Sequence, residues 1–268
     1  MSMLSTLTAF LAPVLLATAA LGAQENWPQW RGPHATGAAT SGSPPVEWSE
    51  DQNLHWKVAI PGKGSSSPVL WGERIYLTTV VPTGKKIEAP PQSEPEPPPQ
   101  GDRPGRRRGF RRNMAPPTEV QRFVVLAIDR QTGQTVWEKT VEETVPHEAT
   151  HRTGSYAAGS AVTDGENIYA FFGSRGLYCL DTQGNVKWKK AFGKMTIKLS
   201  FGEGASPVLR GQTLVIPWDH EGDSFIVALN KETGDELWRA ERDEITSWAS
   251  PVVVEHKKKP QVIVSATG

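Results

Sequence analysis

Apolar and polar positions along this chain alternate in short runs and never sustain a helical face. "SSSPVLWGERIYLTT" (65–79), "AGSAVTDGENIYAFF" (158–172), "GASPVLRGQTLVIPW" (204–218) and "WASPVVVEHKKKPQVIV" (248–264) share one layout. Each holds a short apolar stretch, a turn and a second, alternating stretch, which predicts a pair of antiparallel strands. A second kind of segment follows the first three: "LAIDRQTGQTVWEKTV" (126–141), "YCLDTQGNVKWKKAF" (178–192) and "IVALNKETGDELWRAE" (226–241). There a D/N-x-x-T-G or D-x-x-G turn separates two strands, and a tryptophan stands four residues after the glycine. The glycines, Gly133, Gly184 and Gly234, supply the positive φ that a tight hairpin requires.

Trp137, Trp188 and Trp238 lie 51 and 50 residues apart, so the two segment types alternate in a regular repeat. A unit of roughly 45–50 residues with four strands predicts a propeller blade. The small residues of the "SPV" stretches suit a crowded innermost strand, and each tryptophan is large enough to wedge between neighbouring blades. "NLHWKVAIPG" (53–62) reads as an outermost strand with Trp56 in the tryptophan position and no inner strands ahead of it. The repeat reaches only the first two strands of another blade at "QVIVSATG". The expected fold is therefore all-β, a propeller of four-stranded antiparallel blades. It is expected to hold about three full blades and a partial one within 24–268, read as the N-terminal half of a longer ring or else as a compact four-blade ring whose last blade lacks a strand.

Composition narrows this in four places. The 29 acidic and 29 basic residues balance, so no global field favours nucleic acid. Residues 1–23 are uncharged and rich in Leu and Ala, which predicts a cleaved export signal, a periplasmic or extracellular location, and no membrane span in the mature chain. The Pro/Arg-rich stretch 82–119 inside the first blade cannot pack a core and is expected to be a disordered loop. The single cysteine, Cys179, excludes an internal disulfide. It is read as a buried structural thiol on an inner strand.

Ala127 to Trp137 fits A-x-D-x-x-T-G-x-x-x-W at each fixed position; Ala228 to Trp238 fits with Asn230 for the aspartate, and Leu180 to Trp188 is a shortened copy. This is similar to the tryptophan-docking motif of the PQQ-like, or quinoprotein-dehydrogenase-like, β-propeller repeats. "WPQWRGP" (27–33) also resembles the N-terminal segment of secreted members of this family, whose outer-membrane-assembly component is the nearest functional analogue that the resemblance suggests. The resemblance implies blade docking through Trp56, Trp137, Trp188 and Trp238. It also implies one of two functions: a non-catalytic binding or assembly scaffold for protein or cell-envelope partners, or a dehydrogenase using PQQ and calcium. Alcohol-type dehydrogenases of the family stack the quinone on a disulfide between adjacent cysteines, which Cys179 alone cannot make. No catalytic motif of those enzymes is present, and Asp219 or Glu203 qualifies as their carboxylate only by elimination. The scaffold is the expected function, with no catalytic residue and no cofactor.

One motif points elsewhere. His147-Glu148-Ala149-Thr150-His151 satisfies the H-E-x-x-H pattern of zinc hydrolases, which needs a helix to bring both imidazoles to one ion. "VEET" and "RTGS" flank it without an apolar stripe, and Ala157 stands where the extended motif requires a third histidine. The segment is expected to be a loop between blades, with no metal and with His147 dispensable for stability. His147, Glu148, His151 and Arg152 then decorate the mouth of the propeller, joined by Asp219, His220, Glu221 and Asp223 of "WDHEGD" (218–223). They are candidates for a polar ligand site, or else a solvated loop with local turn hydrogen bonds.

Overall fold

A computed structural model of the chain describes residues 26–88 and 115–266. The expected export signal (1–23) and the centre of the Pro/Arg-rich insert lie outside the described residues. Three sheets follow one another as four-stranded antiparallel meanders. Blade 1 contains β1 (Val69–Trp71), β2 (Arg74–Lys86), β3 (Glu119–Asp129) and β4 (Thr135–Thr144). Blade 2 contains β5 (Val162–Thr163), β6 (Asn167–Phe171), β7 (Leu177–Asp181) and β8 (Val186–Lys190). Blade 3 contains β9 (Val208–Arg210), β10 (Thr213–Trp218), β11 (Ser224–Asn230) and β12 (Glu236–Arg242), and the hairpin β13 (Val252–His256) with β14 (Lys259–Ile263) begins a fourth. The blades form part of a β-propeller.

The strand pattern explains why the blades stack. β6 is buried along its whole length, because the period-2 alternation sends its residues to opposite neighbours. Ile168, Ala170, Tyr178 and Leu180 pack with Val69, Tyr76, Phe123 and Val125 of blade 1. Tyr169, Phe171, Leu177 and Cys179 pack instead with Leu214, Ile216, Trp218 and Val227 of blade 3. The hydrophobic core therefore lies between sheets, and each blade is stable only beside its neighbours. Cys179 stands on the third strand of its blade rather than the innermost one, and burial pushes its thiol up to about 12.

The tryptophans lock this stack at its outer rim. Trp137 Nε1 donates to Thr182 O (2.9 Å) in the turn of blade 2, and Trp188 Nε1 to Lys231 O (3.2 Å) in the turn of blade 3. Gly184 has φ +86, and a Cβ there would sit 2.9 Å from the Trp137 ring, so the turn glycine serves both the hairpin and the indole resting on it. Trp56 makes the equivalent bond to Arg130 O (2.9 Å) and lies on Gly133. Residues 53–62 nevertheless form no strand, contrary to expectation, because no third strand lies beside them among the described residues. Trp238 is 42% exposed beside the two-stranded fourth blade. The aspartate of the turn organises the hairpin loop itself, where Asp129 Oδ1 accepts from Gln131 N, Thr132 N and Thr132 Oγ1. Those Thr132 bonds hold its carboxyl below the usual range.

Two further devices join blades near the axis. The serines of the "SPV" stretches form a relay: Ser67 N donates to Ser160 Oγ, Ser160 N to Ser206 Oγ, and Ser206 N to Ser250 Oγ, each at 2.9 Å. At the opposite end of the inner strands the N-terminal segment crosses three blades. Trp27 pairs with Leu70, Pro28 O accepts from Thr163 N, and Gln29 Oε1 accepts from Leu209 N. Inner strands would otherwise present unpaired backbone groups along this edge. The insert is shorter than expected, since β2 runs on through Lys86 and β3 starts at Glu119.

Candidate functional site

The meander places the β2–β3, β6–β7 and β10–β11 turns and the blade-to-blade loops at one end of the sheets, here called the mouth. Residues 145–157 contain no helix, so the geometry that H-E-x-x-H chemistry requires is absent. His147 and His151 face different partners, and among the described residues no group of three His, Cys, Asp or Glu side chains is arranged to hold a metal. Instead the mouth is organised around residues 195–203 of the loop between β8 and β9, which collects bonds from both neighbouring turns.

From the side of blade 1, His147 Nε2 lies 2.7 Å from Met195 O, and Nδ1 lies 2.8 Å from Arg175 Nη2. A carbonyl only accepts and a guanidinium only donates, so the ring is the neutral Nε2–H tautomer. Burial and the nearby cations Arg175 and Lys194 hold its pKa below the usual value, against the Met195 bond. Glu148 Oε2 accepts from Ile197 N (3.0 Å) and Oε1 from Ser200 Oγ (3.2 Å). From the other side, His220 Nδ1 accepts from Thr196 N, and Nε2 donates to Asp223 O. Glu221 N donates to Thr196 O, and its carboxylate accepts from Thr246. Asp219 is buried and grips Arg242 through both oxygens, at 2.7 and 3.2 Å.

His147, Glu148, Asp219 and His220 thus converge on one loop, but as fasteners. His147, Glu148 and Asp219 bond to residues of other segments, whereas His220 bonds both to Thr196 and, within its own turn, to Gly222, Asp223 and Ser224. His151 is more peripheral, bonded to Thr153 Oγ1 with its ring edge-on to Phe201 at 5.4 Å. Arg152 contributes its carbonyl, which accepts from Lys63 Nζ at 2.7 Å.

The least expected member is Glu203. Its Oε2 accepts from Ser174 N and its Oε1 from Ser174 Oγ, both at 2.5 Å, while Met195 N donates to the same Ser174 Oγ. About one-fifth of its side chain remains accessible. Burial pushes the carboxyl up to about 7, with Glu148 adding to the effect and the Ser174 bonds and Arg175 opposing it. Gly173 has φ +52, and a Cβ there would collide with Glu203 Oε2. "FFGSRG" and "FGEGAS" are therefore two halves of one contact, joined only in three dimensions. Two clefts meet at Glu203, of about 410 and 340 Å³ counting the parts open to solvent.

Above them runs an exposed aromatic strip. Phe201 and Trp248 are 45% and 44% exposed, with ring centroids 6.2 Å apart. Trp248 Nε1 donates to Gly202 O (2.8 Å), and Leu199 and Ser200 adopt positive φ (54° and 53°), which presents Phe201 outward. Sequence reading singled out neither aromatic; the available signal was Trp248 standing just ahead of an "SPV" stretch.

A family model of PQQ-like repeats, described as "Outer membrane protein assembly factor BamB", matches residues 121–266, more than half of the chain. The chain belongs to this PQQ-like repeat family. No curated protein sequence matches it. Among solved structures, BamB from Moraxella catarrhalis is 18% identical, with a TM-score of 0.34, over 55% of this chain and 40% of that one. The quinohemoprotein alcohol dehydrogenase ADHIIG from Pseudomonas putida HK5 is 16% identical, with a TM-score of 0.38, over 69% of this chain and 22% of that one. The quinohemoprotein alcohol dehydrogenase from Comamonas testosteroni gives 15% and 0.38, over 68% and 21%. This PQQ-like repeat chain thus spans well under half the length of each. No helix among its described residues is long and apolar enough to cross a membrane.

Proposed function

We propose that this PQQ-like repeat propeller is an exported, non-catalytic docking scaffold whose mouth face binds a protein partner of the cell envelope. The observation that carries the reading is the Phe201–Trp248 strip, two exposed aromatic rings held in place on a loop fastened from both sides. Large exposed aromatics on a rigid support are the usual anchors of protein interfaces, since little side-chain entropy is lost when they are covered. The description of the matching family as an outer membrane assembly factor agrees with this reading.

The calcium of the family's dehydrogenases would find the nearby carboxylates already engaged. Calcium takes six to eight oxygen ligands, yet Asp219 is bound by Arg242, Glu148 accepts from Ile197 N and Ser200, and Glu203 accepts from Ser174. A photo-crosslinking residue at Phe201, with a control in the β9–β10 turn at the opposite end, tests the scaffold in the native cell. A discrete protein adduct is expected from position 201 alone. Saturable dye reduction with an alcohol or sugar, after addition of PQQ and Ca²⁺, would overturn the reading.

A further inference from the structure

The larger cleft is walled by Tyr156, Phe171, Phe172 and Trp248, with Glu203 and Asp219 as its two carboxylates. Arg242 neutralises Asp219. Glu203 has no lysine or arginine ion pair among the described residues: the ionisable base nearest to it is His147, whose Nε2 is 4.0 Å away, and that ring is the neutral tautomer. Arg175 is directed to His147 Nδ1. A carboxylate offers about four acceptor sites, and Ser174 fills one on each oxygen of Glu203. A largely buried carboxyl with spare acceptor capacity therefore stands in an aromatic cleft open to the mouth.

We propose that this cleft receives the ε-ammonium of a lysine side chain presented by the docked partner; this rests on the scaffold reading above. The cleft suits the head of such a side chain: its free space is about that of one water, the size of an ammonium, and its aromatic walls attract a cation. The class of cation follows from the geometry. Ser174 already occupies the carboxylate as a side-by-side pair of donors, which removes the fork that a guanidinium would engage, whereas an ammonium needs single acceptor sites. A divalent metal would require several oxygen ligands, and no such group is assembled among the described residues. Burial, which the Arg175 charge and the Ser174 bonds offset only in part, is also what pushes the Glu203 carboxyl up to about 7, a state that an incoming ammonium would relieve.

The test uses the full chain and two small probes, Nα-acetyl-lysine N-methylamide and the norleucine analogue of equal length without the charge. Calorimetry or saturation-transfer NMR on the unaltered protein should show saturable lysine-probe binding at least tenfold tighter than norleucine binding. Glu203→Gln should bring the two within about twofold. Equal binding of both probes to the unaltered protein overturns the proposal, even if the variant fails to fold; so does a lysine preference that survives Glu203→Gln. Phe201→Ser separates this outcome from the docking reading, because Phe201 does not line the cleft. It should leave probe discrimination intact while weakening the complex captured by a crosslinking residue placed at the exposed Arg152 instead. Loss of discrimination with docking preserved sinks the cleft alone, and the reverse sinks the docking surface alone.

Discussion

At the mouth, Glu203 shows how one side chain can be set by residues distant in sequence. Its own neighbours, Gly202 and Gly204, carry no charge, yet Ser174, Gly173, His147 and Glu148 fix its bonding and its proton. The sign of its effect on stability follows from the shift. The unfolded value is near 4.5 and the folded value about 7, so the carboxyl favours the fold most fully below about pH 4.5 and loses that contribution as pH rises towards 7. Glu203→Gln removes the titration while leaving His147, Glu148, Arg175 and Tyr156 around it. The variant should gain on the parent by roughly 1–3 kcal/mol between pH 5 and pH 8. Thermal melts at the two pH values would check this; a constant difference would be the contrary result. His147→Ala, expected from sequence to be silent, should instead cost about 1–2 kcal/mol, since Arg175 and Met195 O lose a partly buried partner. Urea titration measures it.

Between elements, the bonds that join blades come from positions with plain local sequence. The serine of each "SPV" stretch looks like a strand-start residue, but its hydroxyl accepts the backbone N–H of the corresponding serine one blade earlier. Ser160→Ala removes the acceptor of Ser67 N and should destabilise by about 1–2 kcal/mol, as should Ser206→Ala for Ser160 N. Hydrogen exchange offers the specific readout: protection should fall first at residue 67 in one variant and at residue 160 in the other. The tryptophan wedges are the larger contribution. Trp188 packs on Gly234 and on Tyr169 at a centroid distance of 6.0 Å, and Trp188→Ala should cost about 3 kcal/mol.

Across the whole molecule, stability depends on contacts between consecutive blades, because their cores lie between sheets. One largely buried ion pair, Lys231 Nζ to Asp164 Oδ2 at 2.6 Å, ties blade 3 to blade 2. Burial works against the Asp164 charge, but the Lys231 bond and the Asn167 and Glu166 amides outweigh it and hold the carboxyl below its usual range. Its contribution is therefore present at neutral pH and lost as pH falls below about 4. Asp164→Ala should lower stability by about 3 kcal/mol at pH 7, and parent and variant should converge in acid. Denaturant curves at pH 7 and pH 3 would settle the direction.

The repeat itself was legible in the sequence, because strand alternation, turn glycines and a tryptophan at a fixed offset are local signals repeated at a constant spacing. So was the loop character of 145–157, since a helix needs an apolar face and the flanks offer none. What tertiary structure decided was which loops meet. His147, Glu148 and His220 carried a visible chemical signal, but their role as fasteners depended on Met195, Thr196 and Ile197 arriving between them. Glu203, Ser174, Phe201 and Trp248 carried almost none. Burial, carboxyl titration and ring exposure are properties of surroundings, and those surroundings come from distant chain segments: Phe201 and Trp248 are 47 residues apart, and Glu203 and His147 are 56.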